Sequence, residues 1–218
     1  MYRLLFEKKG RAIWISHLDL MRLFQRAFKR AGLLLTHTQG YNPRPSVSIA
    51  LPLSVGTESC CELLDFDLEQ PKDPAEIMTA LNSSLTEGIC VLSVYTEGMK
   101  LRQLAYLQCS VSLQYDKLVS ECDAKRIQEL FTRETLTVEK KSKNGVKEQD
   151  ILPMIINMEV NCVDDHTIIL QGKICCQNPS LNPNQIVAAI DEYLPDLQPD
   201  CVKIERCEIF DLNHQVFR

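Results

Sequence analysis

Between residues 17 and 44 the chain gathers the side chains that could do chemistry: His17, Arg22, Arg26, Lys29, Arg30, His37, Gln39, Tyr41, Asn42 and Arg44. The guanidinium and ammonium groups suit phosphate, Tyr41 could stack on a base, and Gln39 and Asn42 carry the paired donor and acceptor that read base edges. If a reaction occurs here, His17 and His37 would be its acid and base. A satisfied structural imidazole is the plainer role for His17, which falls on an apolar side. The set splits between two segments of different backbone character, "SHLDLMRLFQRAFKRAG" (16–32) and "THTQGYNPRPS" (36–46).

The first segment predicts a helix over 17–31. Ser16 can cap it, Asp19 supplies the acidic residue of a capping box, and Gly32 can end it. At about 100° per residue, Leu20, Met21, Phe24, Ala27, Phe28 and Ala31 share one side. Arg22, Arg26, Lys29 and Arg30 share the other, offset only by Asp19. The second segment is a loop that stiffens itself. Asn42 and Arg44 each precede a proline and are pushed toward extended backbone, the prolines fix φ, and Gly40 permits a sharp entry. Little ordering entropy is then left to lose when Tyr41, Asn42 and Arg44 engage a partner.

The elements that hold these segments follow from an internal repeat. "DPAEIMTAL" (73–81) and "NPNQIVAAI" (182–190) share an N-cap acceptor, a proline and a back-reaching Glu or Gln, at an offset of 109 residues. Alternating strand patterns flank both: "CCELLDFDLE" and "ICVLSVY" around the first, "TIILQGKICC" and "VKIERCEIF" around the second. In "CCELLDFDLE", Leu64, Phe66 and Leu68 fall on one face and Asp65 and Asp67 on the other. With "YRLLFE" (2–7) and "SVSIALPL" (46–53) as further strands, the first half reads βαββαβ, and Pro52 sits in an edge strand where proline is tolerated. The second half repeats the order with a strand at 106–115, a helix near 122–132, and strands near 154–162 and 167–176. A hairpin turning at Asn144–Gly145 is inserted near 135–150. The expectation is an α+β chain of two tandem ferredoxin-like units, 1–97 and 104–218, joined by 96–104.

Composition limits the function classes. The 218 residues carry a net charge of −5, yet residues 1–58 hold nine Lys/Arg against three Asp/Glu, while the remainder is strongly acidic. A basic first quarter points to an anionic partner for one face. No apolar run approaches the roughly 20 residues of a membrane helix, and "MYRLLFEKKGR" lacks a secretory pattern, so the expected location is cytoplasmic. The ten cysteines form no Cys-x-x-Cys pair and read as small buried hydrophobes rather than metal ligands or disulfides. Neither a P-loop nor a dinucleotide-binding glycine motif is present, and no cofactor is expected.

"SHLDLMR" (16–22) and "QGYNPRPSVSIALPLSVGTES" (39–59), in this order and spacing, resemble the bacterial radical-SAM-linked protein family, a domain of unknown function. "DILPMI" (150–155) and "IERCEIF" (204–210) are fainter echoes. The resemblance implies an accessory role beside a radical-SAM protein in RNA- or ribosome-connected chemistry. This chain has Tyr41 where the family has Phe, and Arg44 and Ser46 where His and a basic residue are frequent, which weakens a histidine-based catalyst. The chain also lacks the Cys-x-x-x-Cys-x-x-Cys cluster signature. Three functions follow: a non-catalytic module that binds RNA or presents it to a radical-SAM partner, a metal-independent RNA endonuclease using His17 and His37, or a protein-only docking scaffold.

Overall fold

In the computed structural model, which describes residues 1–142 and 145–218, the chain divides into two compact units, Met1–Gln103 with Arg218, and Leu104–Phe217. Both are mixed α+β.

The first unit runs β1 (Tyr2–Lys8), α1 (His17–Arg30), β2 (Val47–Ile49), β3 (Thr57–Phe66), α2 (Pro74–Asn82) and β4 (Ile89–Tyr95). β1 pairs antiparallel with both β3 and β4, and β2 pairs antiparallel with the last residues of β3, Val47 opposite Phe66 and Ile49 opposite Leu64. Even-numbered β1 residues Leu4 and Phe6 meet Leu20, Phe24 and Phe28 of α1 and Leu64 and Phe66 of β3 in a closed core. Phe6 and Phe24 pack edge-to-face with centroids 4.8 Å apart, and Phe28 lies 4.8 Å from Phe66. Such pairs add about 0.5–1.5 kcal/mol beyond area burial. This core fixes the rotation of α1, and so which of its residues face solvent.

Local chemistry sets the helix ends. Ser16 Oγ accepts the Asp19 N–H at 3.2 Å at the start of α1, and Asp73 Oδ1 accepts the Ala75 N–H at 2.8 Å at the start of α2. Two expectations change. β2 spans only 47–49, because the chain bends after Ile49 and Pro52 has no N–H to extend a ladder; Pro52 thus falls beyond the strand. Asp65, expected on a polar outer face, is buried: Arg3 donates to it through Nε at 2.6 Å and Nη2 at 3.0 Å, with Nη1 donating to the Met99 carbonyl at 2.7 Å. That pair ties β1, β3 and the segment after β4 together.

The second unit runs β5 (Leu104–Gln114), α3 (Glu121–Leu130), β6 (Thr137–Ser142), β7 (Gly145–Asp150), β8 (Ile155–Asp164), β9 (Thr167–Cys175), α4 (Pro183–Tyr193) and β10 (Cys201–Asp211). β5 pairs antiparallel with β10 and β9, and β8 adds to β9, giving the order β10-β5-β9-β8. β6 and β7 pair only with each other, Thr137 opposite Asp150. The Asn144 half of the expected turn lies outside the described residues. Asn182 and Gln185 form a reciprocal capping box on α4; α2 shares the N-cap acceptor, Asp73, but its Glu76 forms no such box among the described residues. Leu107, Val111, Leu113, Ile127, Ile168 and Ile186 are among its buried side chains.

Candidate functional site

α1 presents the cationic stripe that its apolar face dictates. Arg22, Arg26, Lys29 and Arg30 are all exposed. Two of them are partly engaged: Arg22 Nη1 donates to Asp19 Oδ1 at 2.9 Å, and Arg30 Nη2 donates to the Ser84 carbonyl. Arg26 and Lys29 have no ion-pair partner among the described residues. The Ser16 hydroxyl, then Arg22, hold the Asp19 carboxyl below its usual range, so Asp19 stays charged and offsets one cation.

The loop 36–46 is a small hydrogen-bonded hairpin. Thr38 N–H donates to the Arg44 carbonyl at 2.8 Å, Ser46 N–H to Thr36 at 2.8 Å, and Arg44 N–H to Thr38 Oγ1 at 3.0 Å, with His37 and Pro45 bridged between them. Its base is pinned as well, since Thr36 N–H donates to the Asp67 carbonyl at 2.9 Å. Gly40 has φ +140°, in the range that favours glycine at the entry to the tip. Gln39, Tyr41, Asn42 and Arg44 are exposed there, and the Tyr41 ring is wholly so, at 100%. A fully solvated tyrosine on a braced tip has no packing role within this unit.

The hairpin base and the C-terminal half of α1 enclose a hollow of about 310 Å³. Its walls are apolar, from Phe28, Leu33, Leu34, Leu35 and Pro45. Its polar lining is Gln25 and Lys29 from α1, His37 from the hairpin, and Glu69. Leu34 is 60% exposed, an apolar side chain left open beside these charges. Of the residues singled out from sequence, then, Lys29 and His37 share a hollow. Arg22, Arg26 and Arg30 lie along the helix outside its lining, and Gln39, Tyr41, Asn42 and Arg44 occupy the hairpin beyond it.

His17 is half-buried in the first turn of α1. About 12 Å of helix axis, at 1.5 Å per residue, separates it from Gln25 at the hollow. His37 lines this hollow and His17 does not. A second hollow of about 270 Å³ meets the other side chains of the hairpin, Thr38 and Ser46, with Ser48, Asp65 and Asp67. No group of three or more His, Cys, Asp or Glu side chains among the described residues is placed to hold a metal.

The sequence did not point to Leu33–Leu35, Gln25 or Glu69. The run of three leucines directly after the helix-ending Gly32 was the available signal, because alternation along an extended segment forces one of them outward. Trp14, 70% exposed just before α1 with its ring over Gly56, also went unmarked.

The model of a family described as "Uncharacterized protein conserved in bacteria (DUF2344)" matches residues 1–194. The chain belongs to this family. No curated protein matches the DUF2344 chain. Among solved structures it is similar to a chain in the crystal structure of a Cbf5–Nop10–Gar1 complex, at TM-score 0.52 and 8% identity over 95% of this chain and 48% of that one. A chain in the structure of an H/ACA RNP bound to a substrate RNA containing 2'-deoxyuridine matches at TM-score 0.49 and 7% identity, over 94% and 46%. An unknown protein from Galdieria sulphuraria matches at TM-score 0.26 and 12% identity, over 97% of each chain. At these identities the likeness concerns fold alone, and the DUF2344 chain spans about half the length of the first two. No helix among the described residues is long and apolar enough to cross a membrane.

Proposed function

We propose that this chain is a non-catalytic, single-stranded RNA-binding module built from two ferredoxin-like units, which serves a radical-SAM enzyme by holding or presenting an RNA- or ribosome-connected substrate. One observation carries the RNA reading: a wholly exposed Tyr41 on a braced hairpin whose base shares a hollow with Lys29, the last cation but one of the α1 stripe. Exposed aromatic faces stack on splayed bases at about 1–3 kcal/mol each, and a row of cations tracks the phosphates between them. The radical-SAM partnership rests on the resemblance of residues 16–22 and 39–59.

A non-catalytic role is favoured over RNA cleavage because His17 lies about 12 Å of helix axis from Gln25 at the hollow that His37 lines, and a general acid and base must both reach one reacting phosphate. The test uses the full chain and a 5'-labelled single-stranded RNA heptamer. Binding that weakens steeply with salt, with the RNA recovered intact, is the expected result. Absent binding removes the RNA reading, and cleavage removes the non-catalytic one. Capture of partners from a native lysate tests the rest. A radical-SAM protein should be retained; retention that survives nuclease and high salt would instead support docking by protein contacts alone.

A further inference from the structure

The hollow between α1 and the hairpin holds opposite charges apart. Lys29 and Glu69 both line it, yet they form no ion pair with each other, and the side chains of Gln25, Lys29, His37 and Glu69 have no protein hydrogen-bond partner among the described residues. The floor and walls between these groups are leucine, phenylalanine and proline. A site with apolar walls, one cation and one carboxylate accepts a flat apolar ring that carries an anion at one end and a donor edge at the other. Its volume of about 310 Å³ is at the small end of the roughly 300–1,000 Å³ of ligand pockets, with room for one purine ring system.

We infer that this hollow receives a single unstacked guanine of a bound RNA strand, with Glu69 accepting its N1–H and N2–H and Lys29 contacting the adjacent phosphate. The inference rests on the RNA reading above and adds base identity to it. A carboxylate accepts two parallel N–H bonds. Among the four bases only guanine offers two adjacent donors on its pairing edge; uracil offers one N–H between two carbonyls that a carboxylate repels, and adenine and cytosine offer one amino group beside an acceptor nitrogen. Gln25 and Lys29 stand at i and i+4 on α1, so the strand that follows Arg22 and Arg26 is led to the mouth of the hollow.

The experiment compares UUUGUUU, UUUIUUU (inosine, lacking the N2 amino group) and heptauridylate on the full chain and on Glu69→Gln, at one fixed salt concentration. Glu69 is exposed, so this variant is expected to fold. A bidentate pair predicts that UUUGUUU binds at least about tenfold more tightly than heptauridylate, with inosine losing most of the gain. Glu69→Gln should bring the guanine advantage below about threefold without weakening heptauridylate. Salt-sensitive binding of all three heptamers with equal affinity overturns the guanine site and leaves the RNA reading standing. No binding of any heptamer overturns both. GMP binding as tightly as UUUGUUU would also overturn the inference, because the site would then take a free nucleotide rather than a strand.

Discussion

Removing Arg26 and Lys29 together, as Arg26→Gln with Lys29→Gln, should flatten the salt dependence of RNA binding by a calculable amount. Four exposed cations line α1: Arg22, Arg26, Lys29 and Arg30. If each neutralises one phosphate of a single strand, log K falls with log salt at a slope of about −0.7 per contact, or about −2.8 in total. Raising salt from about 50 to about 200 mM is a fourfold change, so the parent chain should lose about 50-fold in affinity. The double variant keeps two contacts, a slope of about −1.4 and a loss of only about sevenfold. Glutamine keeps most of the helix propensity, and both residues are exposed, so folding should be unaffected. The ion pair between Arg22 and Asp19 does not alter this arithmetic, because an exposed pair is worth at most about 1 kcal/mol and can exchange Asp19 for phosphate. Fluorescence anisotropy of a labelled RNA heptamer over the salt series reads the slope directly. Lys125→Gln with Lys203→Gln, exposed charges of the second unit, is the control and should leave it unchanged. An unaltered slope in the α1 variant, or an equal flattening in the control, would refute the assignment of the phosphate contacts to this helix.

Two further outcomes concern the scaffold. Asp65→Asn strands the Arg3 guanidinium, 4% exposed, beside a neutral amide, and should destabilise the chain by about 3–5 kcal/mol; a urea midpoint within experimental scatter of the parent would contradict a stabilising pair. Burial pushes the Cys109 thiol up to about 12 and the Cys176 thiol up to about 11, from 9.0. Above about pH 9 the unfolded chain therefore loses protons that the folded chain keeps, so stability falls as pH rises, by about 1.4 kcal/mol per unit for each thiol. Cys109→Ala should flatten the decline between pH 9 and about 10.5, and an unchanged profile would show that Cys109 ionises freely.

Much of the first unit was legible because its signals are local. Ser16, Asp19 and Gly32 bound a helix whose apolar period is unambiguous, and the paired Asp-Pro and Asn-Pro starts of α2 and α4 exposed the repeat. β2 was over-extended because alternation at 46–53 continues past Ile49, and nothing in the sequence shows where a neighbouring strand stops offering partners. Asp65 looked solvated because its polarity fits an outer face; its burial depends on Arg3, sixty-two residues away, which no periodicity reveals. The stiffness of the 36–46 loop could be read from Gly40, Pro43 and Pro45. The hollow could not, since its walls come from α1, the leucine run and Glu69, brought together only by the pairing of Leu34 and Leu35 with the segment after β3.

The central claim is that the solvent face of α1 and the Tyr41 hairpin act as one RNA-binding surface. Ultraviolet cross-linking of a bound single-stranded RNA to the full chain, with the attached peptides located by mass spectrometry, tests it most directly. The adducts should map to residues 22–45, with Tyr41 foremost and its adduct lost in Tyr41→Ala. Adducts confined to the acidic second unit, with none between residues 22 and 45, would contradict it.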